Sequence, residues 1–165
     1  MPAVDDGLDD FYHLLYPAGL VLVTSADANG KANIITAAWC CPLSFDPPMV
    51  GVSIGKTRYS HQLIGKGKEF VLNTPGEGME TAVMVCGTTS GRNVDKFAEA
   101  KLTAEKAKFV KSPLIAECIS SIECKVEKEI DCGDHTFFIG SVVAVHKRKE
   151  GKRIYDTGGR KFVSL

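Results

Sequence analysis

Residues 19–39, GLVLVTSADANGKANIITAAW, decide the fold class. Two runs rich in Val, Leu, Ile and Thr, residues that suit a pleated and half-buried surface, flank Ala28-Asn29-Gly30-Lys31. Asn-Gly accepts the positive φ angles of a tight hairpin turn, so the segment predicts two antiparallel strands joined directly. Upstream, GLDDFYHLLYPAG (7–19) predicts a short amphipathic helix with Leu8, Phe11, Leu14 and Leu15 on one side, stopped by Pro17. Downstream, PPMVGVSIG (47–55) is short and almost wholly apolar, as a strand buried on both faces is.

The alternation of strands with short helices continues. RYSHQLIGKG (58–67) predicts a helix ending on glycine, and EFVLNTP (69–75) a further strand. GMETAVMVCG (78–87) places Met79, Ala82, Val83 and Cys86 at helical spacing, which turns Cys86 toward a core. NVDKFAEA (93–100) predicts another short helix after the polar stretch GTTSGR (87–92). In IECKVEKEI (122–130), Ile122, Cys124, Val126 and Ile130 alternate with Glu123, Lys125, Glu127 and Glu129, so the first set is expected inward and the second outward. A tight DCGDH connection leads to the apolar strand TFFIGSVVAVHKRKEG, and RKFVSL closes the chain as a final strand. The expected fold is mainly β: one domain over residues 1–165, a β-barrel with flanking helices.

Composition narrows the function classes. Twenty basic residues balance twenty acidic ones, so no net field draws in nucleic acid or an anionic membrane. The opening MPAVDDGLDD is acidic and unlike a secretory signal, and no apolar run approaches the ~20 residues that span a bilayer, so a soluble cytoplasmic protein is expected. The six cysteines contain no C-x-x-C, and the four histidines include no pair at metal-ligand spacing, so no metal site is expected. The cysteines read as reduced, buried small hydrophobes. GVSIGKT (51–57) has three residues between its glycines where a P-loop needs four, and G-x-G-x-x-G and G-x-S-x-G are absent. Thr57, Arg58 and Ser60 nevertheless lie near a helix N-terminus, where free N–H groups favour an anion. His13 reads as a surface helix residue and His146, heading HKRKEGKR, as a solvated strand end; His61 stands open, and His135 is a turn residue. From the residues alone the reading is a β-barrel protein that binds a phosphorylated ligand.

Three stretches in order carry a resemblance: YPAGLVLVTSAD with GKANIITAAWCCPLSFDPPMVGVSIGKTRYSHQLI, then CGTTSGRNVDKF, then GDHTFFIGSV. Together they resemble the flavin reductase-like, FMN-binding split-barrel family, with NIITAAW, RYSH and SGRNVDKF most similar to its flavoredoxin-like branch. The resemblance implies a six-stranded antiparallel split barrel, a homodimer, and FMN held non-covalently near the subunit interface. It carries Asn33, Trp39, Ser60, Lys96, His135 and Phe162 onto flavin-contacting positions. Thr57 and Arg58 would join Ser60 and Lys96 around the phosphate tail, and Trp39 or Phe162 would offer a flat neighbour to the ring. The backbone of residues 36–41, with Thr36, Ala37 and Cys40, would face the pyrimidine edge, where Cys40 and Cys41 could touch the ring. The implied activity is transfer of electrons from NADH or NADPH through FMN to free flavin, a metal or a redox protein, with no side chain acting as a catalytic acid. A non-enzymatic FMN electron carrier and a barrel that binds another anionic ligand are the alternatives.

Overall fold

The computed structural model describes residues 10–165. After a single 3-10 turn (Phe11–Leu15), the chain forms β1 (Ala18–Gly19), β2 (Val21–Ala26), β3 (Ala32–Ala37), β4 (Cys40–Phe45) and β5 (Pro48–Gly55). Helix α1 (Tyr59–Gly67), strand β6 (Glu69–Thr74) and helices α2 (Glu80–Thr88) and α3 (Lys96–Glu99) follow. The remainder is β7 (Ala104–Glu105), β8 (Leu114–Ile115), β9 (Ser120–Cys132), β10 (His135–Lys147), β11 (Ile154–Asp156) and β12 (Phe162–Ser164). No described helix is long and apolar enough to cross a membrane.

The hairpin of residues 19–39 forms as expected, with Ala26 facing Ala32 across a loop of residues 27–31. Gly30 takes φ +84°. The turn is wider than a two-residue one because the Asp27 carboxylate organises it, accepting the N–H groups of Asn29 and Lys31 at 2.9 Å.

The main sheet is antiparallel, in the order β3-β2-β6-β9-β10-β5-β4. Its two edges, β3 and β4, are consecutive in the chain and separated only by Ala38 and Trp39. One bent strand therefore joins both edges and curls the sheet into a barrel, and the Trp39 carbonyl accepts the Ser53 N–H at 2.8 Å to hold the corner on β5. The sheet counts seven strands rather than the implied six; taking β3 and β4 as one bent strand recovers six.

β2 is buried on both faces. Val21 and Val23 join Val52, Ile54, Phe70 and Phe138 inside the barrel, while Leu20 and Leu22 pack with Ile34, Val83 and Cys86 beneath the helices. A smaller cluster, Val71, Ala107, Val110 and Leu114, seals the segment between β7 and β8 against the sheet.

Three expectations need correction. Phe11, Leu14 and Leu15 are 56, 87 and 76 % exposed, so the first helix buries no apolar stripe; one turn ahead of Pro17 is too short to sustain an α-helix. Leu8 lies outside the described residues. Helix α1 does end on Gly67, as expected, and the left-handed conformation falls on the following Lys68 (φ 55°), which donates its N–H to the Ile64 carbonyl. In β9 the alternation holds for Ile122, Cys124 and Val126, which pack on the barrel core. It fails at Ile130, exposed at 45 %, because Val126 pairs with Gly140 while Lys128 pairs with Ile139, leaving Glu127 as an extra residue that reverses the faces. Glu123, expected outward, is fully buried.

Candidate functional site

Helix α1 starts at Tyr59, after Arg58 in extended conformation, and no side chain caps its first turn. The free N–H groups there border a cleft of about 180 Å³ bounded by β3, the start of α1, the loop after α2 and the start of α3. Thr57, Arg58, Ser60, Ser90 and Arg92 line it with hydroxyls and cations. The Arg92 guanidinium lies 5.0 Å over the Tyr59 ring and donates to the Thr57 carbonyl at 3.4 Å, which ties the loop after α2 to the entry of α1.

Two residues of this cleft are buried polar groups. Lys96 is 5 % exposed, and its Nζ donates to the carbonyls of Ile34 and Cys86, each at 2.8 Å. Burial pushes its pKa down, the nearby Cys86 opposes that and Arg58 adds to it. An ammonium carries three N–H groups, so Lys96 pins β3 to α2 and retains one donor. Asn33 is 3 % exposed; its Nδ2 donates to Ser60 Oγ at 2.7 Å, and its Oδ1 is buried without a hydrogen-bond partner among the described residues. Exchanging the two carboxamide atoms leaves the other one unpaired instead, so the vacancy does not depend on the assignment.

A second region of about 160 Å³ adjoins the first, sharing Ile35 and Arg58 as lining residues. Its walls are Thr36, Ala37, Ala38 and Trp39 from the barrel corner, with Ser53, Ile54 and Gly55 of β5 and His135 of β10. The corner throws the Trp39 side chain outward, where its ring lies 4.8 Å from the His135 ring at 38° and meets Tyr12 edge-on at 5.9 Å. His135 Nδ1 is 2.7 Å from Asp134 Oδ1, which fixes the imidazole plane. The Thr36 hydroxyl donates to the Val83 carbonyl at 2.6 Å, so this residue offers the cleft its backbone.

The structure thus gathers Asn33, Thr57, Arg58, Ser60 and Lys96 at one end and Thr36, Ala37, Trp39 and His135 at the other. Phe162 lines an adjoining hollow with Leu20, Met84 and Arg160, which shares Thr36 and Ala38 with the aromatic end. Cys40 lines none of these regions: it packs on the barrel core, where burial pushes its thiol up to about 12. Cys41 is exposed and also outside the cleft. Ser90, Gly91 and Arg92 were not among the expected contacts, although the polar stretch GTTSGR contains them. Two histidines have structural partners: His61 Nε2 lies 2.8 Å from Thr136 Oγ1, and His146, expected to be solvated, lies 2.7 Å from the buried Glu123 carboxylate.

Hydroxyls, cations and an unpaired carboxamide at one end and aromatic rings at the other suit an elongated ligand with an anionic tail, a polar chain and a flat head. The chain is 30 % identical over 153 residues to an NADH flavin reductase of Kitasatospora aureofaciens, covering 90 % of this chain and 76 % of that one. Among solved structures it resembles flavoredoxin of Desulfovibrio vulgaris (Miyazaki F), with TM-score 0.82 and 28 % identity, covering 91 % of this chain and 87 % of that one. It also resembles an FMN-binding protein from Thermus thermophilus, with TM-score 0.81 and 27 % identity, covering 93 % and 89 %. Residues 12–164 match the flavin reductase like domain, and the chain belongs to that family.

Proposed function

We propose that the cleft holds FMN non-covalently and that the protein moves electrons from NADH or NADPH through it to an acceptor. The observation that carries this reading is that the two parts of the cleft adjoin at Ile35 and Arg58, with cations and hydroxyls at the α1 end and Trp39 and His135 at the barrel corner. Thr57, Arg58, Ser60 and Arg92 would hold the phosphate, with the uncapped N–H groups of α1. Asn33 would meet the polyol chain through its unpaired atom. The paired rings of Trp39 and His135 would lie against one side of the flavin ring, and the backbone of residues 36–38 would face its edge. When bound, the flavin supplies the acceptance of a hydride and its release as one or two electrons. The residues bind, orient and shield; none within the cleft is assigned as a general acid.

Leu43, Phe45 and Ile130 are apolar and exposed, Phe45 completely, and a second copy of the chain is the proposed cover for them. The likeness to flavoredoxin favours a second reading, an FMN electron carrier serving another redox protein. Purified protein mixed with FMN is expected to retain flavin absorbance through gel filtration and to oxidise NADH or NADPH in the presence of free flavin. Retention without oxidation selects the carrier, and no retained flavin overturns both.

A further inference from the structure

Gly91 is buried in the loop after α2. Its φ is not among the positive values of the chain, so the backbone does not demand glycine there. The space does. A Cβ at this position would lie 1.9 Å from Asn33 Oδ1, 2.8 Å from Asn33 Cγ and 3.4 Å from Tyr59 Cδ1. Asn33 cannot yield easily, because Ser60 Oγ holds its other carboxamide atom at 2.7 Å and its side chain is buried. The carboxamide is thus set between a hydroxyl on one side and a missing side chain on the other.

We infer that Gly91 is a positioning residue, whose lack of a side chain keeps Asn33 aimed so that its unpaired atom serves a hydroxyl-bearing chain of the ligand. A hydroxyl both donates and accepts, so it satisfies either end of the carboxamide. The inference rests on the reading of the cleft as an FMN site and adds a selectivity. Ligands with a ribityl phosphate tail depend on Gly91, whereas a bare flavin ring, held against the paired rings of Trp39 and His135, does not.

The test combines Gly91→Ala, Asn33→Ala and the double variant, with FMN and lumiflavin as probes and thermal melts without ligand. Gly91→Ala is expected to weaken FMN about tenfold or more while leaving lumiflavin within about twofold. Its melting temperature should fall by about 4 °C or more. In the Asn33→Ala background, the same change at Gly91 should alter neither FMN affinity nor melting, because the colliding atoms are gone. Wild-type FMN affinity in Gly91→Ala, an equal loss for lumiflavin, or additive penalties in the double variant would each overturn the inference. If the wild type takes up no FMN, the FMN reading fails, while the melting cycle still decides whether Gly91 sets Asn33.

Discussion

Two buried polar clusters occupy the same barrel and are finished differently. Around Glu123, which is fully buried, the N–H groups of Lys108, Phe109 and Val110 donate to the carboxylate at 2.8, 2.6 and 3.2 Å, and His146 Nε2 lies 2.7 Å away. That network is closed: both carboxylate oxygens are engaged by the chain itself. Around Asn33, nearly as buried, one carboxamide atom has no partner and the residue borders a cleft. Burial of a polar side chain does not by itself separate a structural role from a binding role. An unfinished hydrogen bond at a cleft does: Ser25 and Ser112 also bury unpaired hydroxyls, but of the three only Asn33 combines an unpaired atom with a place in the cleft wall.

The largest expected effect breaks the closed side. Glu123→Ala removes the acceptor of three backbone donors and loosens the segment that covers Val71, at a cost of about 3–5 kcal/mol in denaturant unfolding. FMN affinity of the folded fraction should stay unchanged. A variant that unfolds like the wild type would remove the contrast.

A milder perturbation titrates the same group. Burial pushes the Glu123 carboxyl up, but the amides of Lys108 and Phe109 and the His146 imidazole outweigh burial and hold it below its ordinary 4.5. Its contribution is therefore complete above the unfolded carboxyl range and is lost as pH falls through the lower folded value. Melting temperature should drop on acidification below about pH 4.5. The drop should be shallower in Glu123→Gln, and parallel profiles would show that another group governs acid stability.

The smallest effect concerns a residue in neither cluster. Cys41→Ser should stay within about 0.5 kcal/mol of the wild type and leave the flavin spectrum unchanged. A shifted spectrum would bring the thiols of residues 40 and 41 back to the ring.

Much of this was legible in sequence because it is local. Asn29-Gly30 marks the hairpin, the period of two marks the first half of β9, and Thr57, Arg58 and Ser60 stand together at one helix start. What escaped is nonlocal. Glu123 alternates with apolar neighbours as an outward residue should, and only the packing of residues 107–114 on the outer face of the sheet buries it. Ile130 faces solvent because an extra residue at Glu127, invisible in the pattern, reverses the faces. The corner at Ala38-Trp39 depends on β4 pairing with β5, so the cysteine pair that stands out in the sequence is turned away from the cleft. The closeness of Gly91 to Asn33 depends on α1, α2 and β3 converging, which no spacing encodes.

The most direct measurement is FMN affinity in Asn33→Ala by fluorescence titration, beside its melting curve. Loss of a hydrogen-bonding group that the fold leaves unpaired should weaken FMN about tenfold or more while shifting melting by no more than about 2–4 °C. Wild-type FMN affinity in the folded variant would contradict the assignment of the open cluster to the ligand.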